Sequence, residues 1–73
     1  MEWKAVSRDV IQSTDGAWKI TSKLTSPVVI ECRLYRGDAM QGRLECRNNV
    51  VDRTETLDEL KGFAERLVKA GVG

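Results

Sequence analysis

The strongest nucleophiles in the chain are two thiols, Cys32 and Cys46, and there is no histidine to serve either of them. A thiol attacks as the thiolate, which needs a base or a cation beside it, and histidine is the usual supplier. Two thiols without histidine also fall short of the four nitrogen and sulfur ligands of a structural zinc site. A cross-strand disulfide or a redox pair remains. The opening Met1-Glu2-Trp3-Lys4 has no apolar segment behind a basic start, so no secretory leader is read and a cytoplasmic, reducing setting is expected. There, two reduced and buried small hydrophobes are the preferred reading.

The acidic residues are scattered: Glu2, Asp9, Asp15, Glu31, Asp38, Glu45, Asp52, Glu55, Asp58, Glu59 and Glu65. A catalytic carboxylate pair needs a concave pocket that shifts its pKa values, and a chain of 73 residues rarely builds one. Ser7, Ser13, Ser22 and Ser26 have no histidine base and no nucleophile-elbow context, and neither common phosphate-binding glycine loop is present. The sequence therefore predicts no enzyme, no cofactor and no metal. The tripeptide Arg36-Gly37-Asp38 is read as turn chemistry.

Binding chemistry is better represented. Arg33, Arg36, Arg43, Arg47 and Arg53 follow one another without an intervening lysine, and Lys19, Lys23 and Tyr35 share their side of the chain's alternation. Such a face suits nucleic acid. Glu31, Asp38, Glu45 and Asp52 are interleaved, however, and the net charge is only +1, so a solvated ion-pair face is preferred and nucleic acid is the weaker reading. The N-terminal segment carries Trp3, Val6, Val10 and Ile11, more apolar surface than one edge strand needs. The two tryptophans are expected to cover the open end of the core. The sharper expectation is an exposed edge that accepts a partner segment on Lys4, Val6, Arg8, Val10 and Ile11, with Arg43, Arg47 and Arg53 adding contacts to an acidic partner surface. Gly62, on the polar side of a helix, is read as a tolerated surface glycine that also permits a second backbone to approach.

These residues need elements to hold them. With 41% hydrophobic and 32% charged residues, and no apolar run near the roughly 18 residues of a membrane span, the composition is that of a globular domain without a membrane partner. A single domain over residues 1–73 is expected, with strands within 2–51 and a helix at about 57–70. The first strand runs Glu2 to Ser7. Residues 9–13 either extend it past a kink or make a helical turn, and Asp15-Gly16 signals a turn. From Trp18, alternation sets Ile20, Ser22 and Leu24 on one face and Lys19, Thr21 and Lys23 on the other. After Pro27 comes Val28 to Tyr35, with Ile30, Cys32 and Leu34 facing in. A fourth strand, about Gly42 to Asn48, is expected to form a hairpin through a loop at Gly37–Gln41. Its register sets Leu34 opposite Leu44, Cys32 opposite Cys46, Glu31 opposite Arg47, Arg33 opposite Glu45 and Tyr35 opposite Arg43, all complementary. Val50-Val51 is read as a short final stretch. Thr56-Leu57-Asp58-Glu59 forms a capping box, Leu57, Leu60, Phe63, Ala64, Leu67 and Val68 a stripe, and Gly71 a left-handed stop, so the helix is placed at Leu57 to Ala70. The expectation is α+β, a four-stranded, mostly antiparallel sheet with one C-terminal helix on one face. The expected core is Trp18, Ile20, Leu24, Ile30, Cys32, Leu34, Leu44, Cys46, Leu57, Leu60, Phe63, Ala64 and Leu67.

The run from Trp3 to Ser13, followed by Asp15-Gly16 and Trp18-Lys19-Ile20, together with the cap at Thr56-Leu57-Asp58-Glu59, resembles small phage-encoded host-takeover proteins. The resemblance covers about a third of the chain. It implies a non-catalytic regulator acting in the cytoplasm of a bacterial host. The implied partner is bacterial RNA polymerase, at the N-terminal region of its β′ subunit, with host transcription initiation blocked or antitermination promoted. A sheet-face nucleic-acid binder and an anti-CRISPR-type inhibitor are the alternatives.

Overall fold

The computed structural model describes residues 1–71. Five strands precede the helix: β1 (Trp3–Ser7), β2 (Val10–Ser13), β3 (Trp18–Ser26), β4 (Val29–Arg36) and β5 (Ala39–Arg47), then α1 (Val50–Lys69). They form one antiparallel meander in chain order, so β1 and β5 are its edges. The α+β class and the C-terminal helix are as expected; the strand count is five rather than four. The extra strand is β2. It folds back on β1 and sets Ile11 opposite Ile20 and Val10 opposite Thr21. Four residues are too few for alternation to declare itself in the sequence.

The turn into β3 is built by side chains. Ser13 Oγ donates to Asp15 Oδ1 at 2.6 Å, Ala17 N–H donates to the same oxygen at 3.0 Å, and the buried Trp18 N–H donates to Ser13 Oγ at 2.9 Å. The Ser13 hydroxyl, then the Ala17 N–H, hold the Asp15 carboxyl below its ordinary range. Gly16 takes φ 81°, which favours glycine.

The β4–β5 hairpin corrects the expected register. Gly37-Asp38 alone makes the turn, β5 begins at Ala39, and an extra residue, Gln41, bulges between the Tyr35–Met40 and Leu34–Gly42 pairs. Leu34 therefore faces Gly42, Cys32 faces Leu44 and Ile30 faces Cys46. Relative to expectation the ladder slides by two, so each side chain keeps its face while every partner changes. Glu31 lies opposite Glu45 and Arg33 opposite Arg43. The helix supplies a reason. A Cβ on Gly42 would lie 3.4 Å from the Phe63 ring, so the one β5 residue without a side chain sits where α1 closes on the sheet.

The helix starts seven residues before the expected Leu57. Asn49, with extended backbone, is the cap, and its Oδ1 accepts the Asp52 N–H at 2.8 Å. Val50 and Val51 are thus helical rather than a strand stretch, and Thr56 is a buried residue inside the helix rather than its cap. The end is as read: Gly71 has φ 83° and its N–H donates to Val68 O at 3.0 Å. The buried core is Trp18, Ile20, Ile30, Cys32, Leu34, Leu60 and Ala64, with Trp3, Ile11, Leu44, Cys46, Leu57, Phe63 and Leu67 packed around it. Leu24 is the correction: it is 57% exposed, beside the irregularity where β3 leaves the β4 register.

Candidate functional site

α1 packs on β5, β4 and β3 from one side, and among the described residues no element covers the opposite face of the sheet. Strand alternation places Lys4, Val10, Lys19, Lys23, Arg33, Tyr35, Arg43 and Arg47 there, together with the carboxylates Glu31 and Glu45. Six cations against two acids make this face basic while the whole chain is nearly neutral.

Glu31 organises its centre. The side chain is 8% exposed, although the helix lies on the other side. Arg33 Nε donates to Oε1 and Arg43 Nη1 donates to Oε2 at 2.9 Å, so two arginines fold over one carboxylate. Burial alone would push the Glu31 carboxyl up. The hydrogen bond and charge of Arg33, then those of Arg43, outweigh it and hold the carboxyl below its ordinary range. The Tyr35 hydroxyl, followed by Glu31, pushes the Arg33 guanidinium further up, so it stays charged. Lys19 Nζ stands 5.4 Å from the centre of the Tyr35 ring. The exposed parts of this cluster are the cations and the ring, and the acid is beneath them.

The eight sequence-predicted contact residues do not form one surface. Lys4 and Val10 lie on the uncovered face near the β1 edge, and Arg43 and Arg47 lie on it at the β5 edge, across the full width of the sheet. Val6 is exposed at the β1 irregularity and Arg8 is in the following turn. Ile11 faces the helix side and packs against the core, so it does not join Val10. Arg53 is on α1. Its Nη2 donates to Arg8 O at 2.9 Å and stands 3.9 Å from Asp9, which ties the helix start to the β1–β2 turn. Sequence reasoning missed Glu31 as the shared anchor of Arg33 and Arg43, because the expected register gave each charge a different partner.

Two clefts remain. One, about 410 Å³, lies between the β1–β2 turn and the helix start and is lined by Arg8, Asp9, Lys23, Leu24 and Arg53. The other, about 520 Å³, runs between β5 and α1. Among the described residues, no group of three or more histidine, cysteine or acidic side chains could hold a metal. Cys32 and Cys46 are free thiols; burial pushes the Cys32 thiol up, against the opposing pull of Ser22, whose Oγ is 3.6 Å away. No described helix is long and apolar enough to cross a membrane. No protein-family model, curated protein or solved structure matches the chain.

Proposed function

We propose that the chain is a small non-catalytic regulator that acts by occupying a partner's surface, and that the uncovered sheet face is where it docks. The observation that carries this reading is the Glu31 cluster: a flat face whose carboxylate lies beneath two arginines while the guanidinium groups stay accessible, 43% exposed for Arg33 and 52% for Arg43. Such a face suits an acidic, shallow partner surface and offers no enclosed space for a reaction. An acidic protein is favoured over a nucleic acid because Glu31 already neutralises part of the arginine charge and Glu45 interrupts the rest. Bacterial RNA polymerase, with the N-terminal region of β′ as the contact, is the leading partner, on the resemblance to phage host-takeover proteins. Blocked initiation or promoted antitermination follows from covering that region.

The chain, immobilised and exposed to bacterial lysate, is expected to retain polymerase core subunits, identified by mass spectrometry, and to lose them when Arg43 and Arg47 are both changed to Glu. A lysate that yields a CRISPR effector and no polymerase supports the inhibitor reading instead.

Nucleic acid is kept as the second reading for one observation. Tyr35, with Lys19 on its ring and Arg33 on its hydroxyl, is an aromatic and cationic platform of the sort that stacks an unpaired base. Binding of single-stranded RNA that weakens steeply from about 0.1 M to about 0.5 M salt and is lost in Tyr35→Ala would favour it.

A further inference from the structure

β5 is an edge strand of nine residues, without proline or lysine, and only its β4 side is paired in the sheet. Long open edges are ordinarily blunted, because their free N–H and C=O groups recruit another strand. The Gln41 bulge blunts the start of this edge, and charge is the device beyond it. On the uncovered face β5 presents Arg43, Glu45 and Arg47, alternating in sign rather than repelling uniformly. Glu45 is exposed, lies directly opposite Glu31 of β4, and makes no ion pair among the described residues. It is a carboxylate set against a like charge within its own chain.

We propose that the β5 edge is a self-recognition surface that pairs antiparallel with β5 of a second copy, about a two-fold axis at Leu44. An antiparallel two-fold pair matches each residue with the one equally far beyond the axis. Centred on Leu44, Arg43 of each copy meets Glu45 of the other and Leu44 meets its own counterpart, within the regular stretch beyond the Gln41 bulge. Other centres match fewer charges: an axis at Arg43 sets arginine against arginine, an axis at Glu45 sets glutamate against glutamate and Arg43 against Arg47, and an axis at Cys46 matches Glu45 with Arg47 but sets Arg43 against Asn49, beyond the end of the strand. An axis at Gly42 pairs neither charge with its opposite. A guanidinium has five N–H donors, so Arg43 holds Glu31 and the second copy's Glu45 together. On the helix side the cleft between β5 and α1 is lined by Gly42, Leu44, Leu60 and Phe63, with Asp58, Glu59 and Arg66 as its polar part. The added strand brings its own Leu44 to that side and shields the apolar part. Gly62 is on the cleft wall, where the Arg66 guanidinium lies over the Phe63 ring and 3.5 Å from where a Gly62 Cβ would be.

Sedimentation of the whole chain from micromolar to millimolar concentration tests this, independently of any partner. Wild type is expected to reach twice the monomer mass. Glu45→Arg sets arginine against arginine at both symmetric positions and is expected to weaken association roughly tenfold or more. Arg43→Glu is expected to do the same. An equimolar mixture of the two variants restores opposite charges at every position and is expected to recover the doubled mass. Should Arg43→Glu fail to fold, isotope-filtered proton contacts between the Leu44 residues of two wild-type copies are the substitute measurement. A wild type that stays monomeric at millimolar concentration overturns the proposal, as does a dimer indifferent to Glu45→Arg, a mixture that stays monomeric, or an absence of Leu44 contacts.

Discussion

Glu31 and Arg43 meet on the diagonal of two strands whose directly opposed residues carry like charges. Glu31 Oε2 is 2.9 Å from Arg43 Nη1, while Glu45 is the residue opposite Glu31 and Arg33 the residue opposite Arg43. The sheet thus relieves the Arg33–Arg43 pair by leaning both arginines on Glu31, and leaves Glu45 opposite that carboxylate.

This cluster gives the fold an acid-sensitive element. The folded Glu31 carboxyl ionises at lower pH than an unfolded glutamate, for which the ordinary value is about 4.3. Its stabilisation is therefore present above that value and lost as pH falls through the lowered one. Urea midpoints measured between pH 6 and pH 2.5 are expected to fall less steeply for Glu31→Gln than for wild type. Equal slopes would remove Glu31 from the acid response. Asp15, also lowered, contributes in the same direction and stays in both proteins.

Ser13 carries the β2–β3 turn from inside the core. Its Oγ accepts the buried Trp18 N–H and donates to Asp15. Ser13→Ala leaves that N–H buried without its acceptor, a loss of about 1–3 kcal/mol. Chemical denaturation gives the value, and a loss well under 1 kcal/mol would mean the turn relaxes to let water in.

Gly42 sets how closely α1 approaches β5. Gly42→Val places a Cβ and two methyl groups against the Phe63 ring and is expected to cost about 1–3 kcal/mol by overpacking. The same substitution combined with Phe63→Leu, which shortens the ring side chain, is expected to recover part of it. Additive losses in the double-mutant cycle would refute the contact.

The helix start makes its own forecast. Asn49→Ala removes the cap to the Asp52 N–H and is expected to cost about 1 kcal/mol, seen as a lowered Tm. No change in Tm would move the start of the helix toward the Thr56 box.

The two thiols should separate by reactivity. Cys32 is buried and its thiol is pushed up, whereas Cys46 is half-buried at the core's edge. With a thiol reagent at mildly alkaline pH, Cys46 is expected to react first and Cys32 only on unfolding. Equal rates would contradict the burial.

What the chain alone determined is periodic. Alternation from Trp18 onward assigned Ile20, Ile30, Cys32 and Leu34 to one face and Lys19, Arg33, Tyr35 and Arg43 to the other, because a strand's two-residue repeat is a local property. The same locality made Gly71 readable as the helix stop. Tertiary structure decided the matters that depend on distant neighbours. Whether Val10–Ser13 is a strand depends on β3 lying beside it. Whether Leu34 meets Leu44 or Gly42 depends on where Phe63 descends, and a slide of two residues preserves every face, so no hydrophobic pattern could distinguish the two registers. Leu24 is exposed because the β3–β4 ladder becomes irregular beside it, and the helix begins at Val50 because Asn49 caps the chain as soon as β5 ends. The cluster on the uncovered face inherits this division: its cations were legible from alternation, while the carboxylate that gathers them could be found only once the strands were aligned.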